Sequence, residues 1–253
     1  MPAGIAIGQL AGLVREIRGA EGSPSMIVIS GPGAEALATA LAVGGDRRAI
    51  VVDGNPAAAA VALRIVEGDP GGGERAVLRR LTSEQTPVVV IRRGGSDRIP
   101  HVFADDVVDV ESENLGANIG PIAIAIARAV GAAGPALAAR LPILRAPVSE
   151  GLVARTAYAN AALAASPQIV PQLPMLTFTQ VRMLLLVGVA RGETLPRGPE
   201  GLLRAAGPSL VAALGAGVGA RALVRRLPVR GRLVRAAIAY GVTRMLGTAV
   251  LRR

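Results

Sequence analysis

The sequence predicts an α/β fold: a three-layer domain with a parallel sheet over residues 1–145, followed by an all-α domain over residues 146–253. Three observations predict it. Short runs of β-branched residues alternate with alanine-rich helical segments as far as Val130, the pattern of strands joined by helices. Beyond Gly134 the strand signals stop, and helical segments follow, divided by prolines at 142, 147, 167, 171, 174, 196, 199, 208 and 228. The charge changes with the architecture. Residues 1–145 hold 14 arginines and 15 acids, a net −1, and residues 146–253 hold 14 arginines and 3 acids, a net +11.

Ile5, Leu10, Leu13, Val14 and Ile17 recur near helical spacing and predict an amphipathic helix over residues 5–18 that docks on the first domain. Glu21, Gly22 and Pro24 end it. Ser25–Ser30 is a short apolar run of β type, and Gly31-Pro32-Gly33 turns it into the helix that follows. Ala49–Val52 predicts the second strand, closed by Asp53-Gly54-Asn55-Pro56. Ala57–Val66 is rich in alanine and reads as a helix, stopped by Gly68-Asp69-Pro70-Gly71. Glu74–Leu81 reads as a further helix and Pro87–Ile91 as a strand buried on both faces. Val107–Val110 is the last strand, with the helix Ile119–Val130 behind it.

All 28 basic residues are arginine; lysine, cysteine and tryptophan are absent, and His101 is the single histidine. Schiff-base chemistry, a lysine base and the lysine of a phosphate-binding P-loop are thereby excluded from this chain. So are thiol nucleophiles, disulfides, thiolate zinc sites and any multi-histidine metal site. Met1–Gly19 carries its arginines after its apolar residues, so no secretory signal is expected. No apolar run reaches the ~18–20 residues of a transmembrane helix.

Gly31-Pro32-Gly33-Ala34-Glu35-Ala36 matches G-x-G-x-x-A directly after a strand, with Asp53 at the end of the next strand. That is the setting of a Rossmann dinucleotide fingerprint: Gly31 and Gly33 admit a pyrophosphate, the helix N-terminus attracts it and Asp53 holds a ribose. Every βαβ unit needs a tight turn at this point, and Glu35 places a carboxylate where it repels phosphate. Aligned instead as a P-loop, Ala36-Leu37-Ala38 stands where Gly-Lys-Ser/Thr is required. The cradle glycine, the lysine and the magnesium hydroxyl are missing together, so neither binding nor hydrolysis of GTP or ATP is expected by that route. Asp105, Asp106, Asp109, Glu111 and Glu113 crowd together, but Asp106 and Asp109 flank a Val-Val strand core and no metal is expected. His101 reads as a loop or interface residue. Asn160, Gln172, Thr177, Thr179 and Gln180 are polar groups in an apolar half and predict a structural hydrogen-bond network.

Gly201–Arg253 holds ten arginines and no acid. Two apolar segments, Ala205–Ala220 and Ala236–Val250, flank a basic break and predict a helical hairpin with arginine at its ends. The first segment is ~24 Å long as a helix, short of a ~30 Å hydrocarbon core. Gly215 and Gly219 form a G-x-x-x-G pair suited to close helix contact, and Arg244 interrupts the second segment. A packed hairpin is therefore expected, with Arg221, Arg225, Arg226, Arg230, Arg232 and Arg235 available to an anionic partner. Nucleic acid fits less well, because the only aromatics in this half are Tyr158, Phe178 and Tyr240.

From residue 100 the pieces run PHVFADDVVDV, PIAIAIARAVG, ALAARLPILRAPV, LVARTAYANAALAA, PMLTFTQVRMLL, GARALVRRLPVRG and AAIAYGVTRMLGTA. With Pro174, Leu176-Thr177, Gln180 and Met183, then Pro228, Gly231, Ala239-Tyr240-Gly241-Val242-Thr243 and Gly247, this order resembles an uncharacterised bacterial family common in actinobacteria. That family is built on the helical domain of unknown function that often follows Era-type GTPase domains. The resemblance covers the last three fifths and implies membrane association without a known activity. It carries no GTPase chemistry here: Arg92-Arg93-Gly94-Gly95-Ser96-Asp97 stands near where N-K-x-D would fall. The sequence thus predicts a non-enzymatic protein, with a degenerate Rossmann or P-loop-like domain joined to a basic helical domain. It is expected in the cytoplasm, peripheral or integral to the inner membrane face, on an anionic membrane surface or a membrane-bound protein partner. No catalytic residue, metal or resident cofactor is expected, and a homo-oligomer is left open. The alternatives are a nucleotide or dinucleotide binder using Gly31, Gly33 and Asp53, and nucleic-acid binding by the C-terminal arginines.

Overall fold

The computed structural model describes residues 12, 15, 19, 25–95, 98–110, 115–166, 172–193 and 232–252, with backbone only at 172–174 and 232. In chain order the strands and α-helices are β1 (Ile27–Ser30), α1 (Ala34–Leu41), β2 (Ile50–Val52), β3 (Val61–Glu67), α2 (Gly72–Ser83), β4 (Val88–Arg93) and β5 (Val107–Val110). Then follow α3 (Ile119–Ala129), α4 (Gly134–Arg140), α5 (Arg145–Ala165), α6 (Gln172–Ala190) and α7 (Arg232–Leu251). The expected helix over residues 5–18 lies outside the described residues except at Gly12 and Arg15, both helical. The chain divides into two compact units: Ala20–Val148 with Ala190–Gly192, and Met1–Gly19 with Ser149–Val189 and Glu193–Arg253.

In the first unit the five strands form one parallel sheet in the order β2-β1-β3-β4-β5. The α/β expectation is met, with one correction. Ala57–Val66 is not a helix: Pro56–Ala58 makes one 3₁₀ turn, capped by the Asn55 side chain accepting from Ala57 N at 3.1 Å, and Val61–Glu67 is the central strand. Val61, Leu63 and Ile65 are 0–1 % exposed, and Ala62 and Val66 on the opposite face are each 4 % exposed. Pairing with β1 and β4 together outweighs the helix propensity of the alanines, which is a weak prior. The return from β2 to β3 is made by residues 53–60 alone, which cross beside β1 with Asp53 N donating to Ile29 O and Ala60 N to Met26 O.

Side chains alternate across the sheet. Ala62, Val66, Val88 and Val90 pack with Leu78 and Leu81 of α2 and with Ile99. On the other face α1 and α3 lie against each other, burying Leu37, Leu41, Ile122 and Ile126 completely. Ala34, Leu37, Ala38 and Leu41 recur at i, i+3, i+4 and i+7, so one stripe of α1 faces the core. At the opposite end of the sheet Arg140 donates to Asp46 Oδ2 from Nε and Nη2 at 3.1 and 2.9 Å, and to Ser25 O at 2.9 Å. Those bonds, with the Arg48 amide on Oδ1, hold the Asp46 carboxyl below the ordinary aspartate pKa.

In the helical unit Val153 of α5 packs with Met183 and Val187 of α6. α7 approaches α5 closely enough that a Cβ on Gly247 would stand 2.5 Å from Val153 Cγ2. That close approach needs glycine. Ala236–Val250 lies within α7, with Arg244 exposed; Ala205–Ala220 and its Gly215 and Gly219 lie outside the described residues. Among the described residues no single helix is long and apolar enough to cross a membrane. Leu115–Ala129 and Gly131–Arg140 reach that composition only as a pair bent by 116°, and Ile122, Ile126 and Leu137 on them are fully buried.

Candidate functional site

The C-terminal ends of the strands gather the two glycines and the aspartate that the sequence singled out for a cofactor, Gly31, Gly33 and Asp53. The chain runs from β1 toward β2 on one side and from β3 toward β4 on the other, so β1 and β3 flank the switch point where open parallel sheets bind ligands. Gly31 and Gly33 close β1, and Asp53 follows β2, which pairs in parallel with β1 through Ile29 and Val52. The structure therefore sets the glycine turn and Asp53 on adjacent strand ends. Asp53 is exposed, with a left-handed φ of 53°.

Both glycines have a reason inside the chain. Gly31 has φ 106°, and a Cβ there would run into the Ile65 carbonyl oxygen of β3. Gly33 is the N-cap of α1 with φ 81°, and a Cβ there would lie 2.6 Å from Arg93 Nη2. The approach that the fingerprint reserves for a pyrophosphate is made here by the strand carbonyl and by an arginine.

Arg93 is not among the residues that sequence reasoning singles out as a site. It ends β4, its Nη1 donates to Glu67 Oε1 at 3.4 Å, and its Nε is buried without a hydrogen-bond partner. A guanidinium thus stands beside the N-terminus of α1, where the helix dipole already carries positive charge and where Gly33 supplies no side-chain cap. The signal is the register: residue 93 lies at the C-terminal end of a strand two places from β1, which a linear motif search does not see. Glu35, the carboxylate expected to repel phosphate, pairs with Arg47 Nη2 at 2.9 Å.

Arg64 sits opposite Ser30 in the register of β1 and β3 and donates to Ser30 Oγ at 3.0 Å. Its Nε and Nη2 donate to the Glu74 carboxylate at 2.9 and 2.6 Å. These bonds raise the Arg64 pKa against the cost of burial, with Glu74 and then Asp53 adding attraction. Arg92 similarly donates from Nε to Asp109 Oδ1 at 2.6 Å. Asp109 is therefore an ion-pair partner of a strand arginine. Asp106 is pushed above the ordinary aspartate pKa by burial and then by Asp105, with Arg128 opposing. Among the described residues no three or more His, Asp or Glu side chains converge to hold a metal ion; Glu111 and Glu113 lie outside them. His101 has a left-handed φ of 67°, is exposed, and accepts at its carbonyl from Thr82 Oγ1 at 3.1 Å.

The polar residues of the helical unit form a network. Thr179 Oγ1 donates to Asn160 Oδ1 at 2.6 Å. Asn160 Nδ2 and Gln180 Nε2 both donate to Thr243 Oγ1, at 3.0 and 3.2 Å. The Thr243 hydroxyl donates to Ala239 O at 2.8 Å, so one threonine ties α5, α6 and α7 together. Thr243 is its unforeseen member; Thr177 is half-buried, and the Gln172 side chain lies outside the described residues. Of the six candidate arginines, Arg221, Arg225, Arg226 and Arg230 and the Arg232 side chain lie outside the described residues, and Arg235 is exposed on α7. Compared with known proteins, the chain matches no protein-family model, no curated protein and no solved structure.

Proposed function

We propose that the chain is a non-enzymatic docking protein of anionic membrane surfaces, its α/β unit a degenerate nucleotide-binding-type domain. One observation carries this: α7 has no acid, and it exposes Arg235 and Arg244, with Arg252 just beyond its end, together with Leu233 (83 % exposed) and Met245 (74 %). Single exposed apolar residues are ordinary on soluble proteins. On one acid-free helix the arginines offer attraction to anionic lipid, and the exposed Leu233 and Met245 offer apolar contact at its surface. The net +11 of residues 146–253 adds long-range attraction to it. In flotation, the full chain is expected to rise with vesicles containing phosphatidylglycerol and to stay down with phosphatidylcholine alone. The binding should weaken between about 0.1 and 1 M salt, over which the Debye length falls from about 10 to about 3 Å. Failure to float with either vesicle removes this reading.

A second reading rests on Arg93. A guanidinium with a buried, unpartnered Nε beside the N-terminus of α1 favours an anion at the Gly31–Gly33 turn, where it would compete with the long 3.4 Å contact to Glu67 for Arg93 and meet the positive end of the helix dipole. The ligand class is a phosphate or pyrophosphate group, without hydrolysis. Calorimetric titration with inorganic pyrophosphate is expected to give binding heat that Arg93→Gln abolishes. Absence of heat with the unaltered chain ends this alternative.

A further inference from the structure

Tyr158 on α5 and Tyr240 on α7 pack ring against ring, with centroids 5.2 Å apart and planes tilted by 54°. The pair is not core. Tyr158 is 66 % exposed and Tyr240 is half-buried. Arg155 is exposed one turn before Tyr158, and Arg244 one turn after Tyr240. Both rings thus stand on stripes that carry an exposed cation at i±3 or i±4. Tyrosine presents an apolar body and a polar tip, and arginine lays an apolar stem along a surface while its charge stays in water. This combination fits the headgroup level of a bilayer, where aromatic rings collect.

We propose that the Tyr158–Tyr240 pair, flanked by Arg155 and Arg244, is the element of this chain that enters the headgroup layer of an anionic bilayer. The proposal rests on the membrane-docking reading above and adds the contact site. Charge decides the occupant: the exposed cations beside the rings call for anionic lipid, and α7 holds no acid to oppose it.

The composition supplies the probe. The chain has two tyrosines and no tryptophan, so Tyr158→Trp creates a single tryptophan at an exposed position that can be excited selectively. With the full chain on phosphatidylcholine–phosphatidylglycerol vesicles, its emission is expected to move to the blue and to be quenched by brominated acyl chains. Arg244→Gln is expected to lower the partition coefficient about fivefold at low salt. Flotation without a shift or quenching in Tyr158→Trp would leave membrane docking in place and overturn this site. Absence of flotation overturns both. A shift produced by single-stranded nucleic acid and not by vesicles overturns the lipid assignment and makes the pair a base-stacking platform.

Discussion

Thr243→Val is expected to destabilise the helical unit by about 2–5 kcal/mol, because it strands two buried amide donors at once. Asn160 and Gln180 are 1 % and 7 % exposed, and both point their amide nitrogens at the Thr243 hydroxyl. Valine keeps the shape and removes the acceptor, so the change isolates hydrogen bonding from packing. Thr243→Ser retains the oxygen and should keep most of the stability. Urea unfolding followed by circular dichroism measures the difference. If Thr243→Val unfolds at the wild-type midpoint, the amides reach water and the network does not hold the three helices in register.

Gly31→Ala is expected to cost the α/β unit about 2–4 kcal/mol, through a backbone conformation that L residues avoid and a collision that cannot be relieved by a rotamer change. The obstacle is the Ile65 carbonyl, fixed in the central strand. Gly44→Ala is the matched comparison. Gly44 also has a left-handed φ, 69°, but a Cβ there meets nothing within 4 Å. It should cost only about 1 kcal/mol, the conformational share. Equal losses in the two variants would show that the turn yields and that the close approach to β3 is not rigid. The result also bears on the fingerprint reading, since a glycine required by the chain's own carbonyl is no evidence for a nucleotide.

The parts legible in the sequence are those in which local pattern and tertiary demand agree. β1, α1, β4 and α3 each combine an apolar run of the right period with a glycine at or just beyond its end, and β5 shows the apolar run alone. β3 is illegible because its demand is wholly tertiary. Its entry is alanine-rich, and Arg64 in its middle makes the run look amphipathic; the ion pair with Glu74, ten positions on, and the bond to Ser30 make an arginine tolerable there. The candidate site shows the same division. Gly31, Gly33 and Asp53 are visible because they punctuate strand ends. Arg93 reaches Gly33 from a different strand, and Thr243 meets Asn160 across 83 residues of chain. Contacts of that separation leave no periodic trace.

The threonine hub has a consequence for the order in which the protein is made. Domains form N-terminal first as a chain is synthesised. All five strands lie before residue 111, so the sheet can assemble while the rest of the chain is still being added. The helical unit has no such freedom. Asn160 and Gln180 are made first, yet the hydroxyl that satisfies both arrives with α7, 83 and 63 residues later in the chain. Until α7 has been made and has docked, α5 and α6 must keep these amides in water. A nascent chain stalled before Arg232 would carry a finished sheet and an unfinished bundle, and a quality-control protease would find its substrate in the bundle.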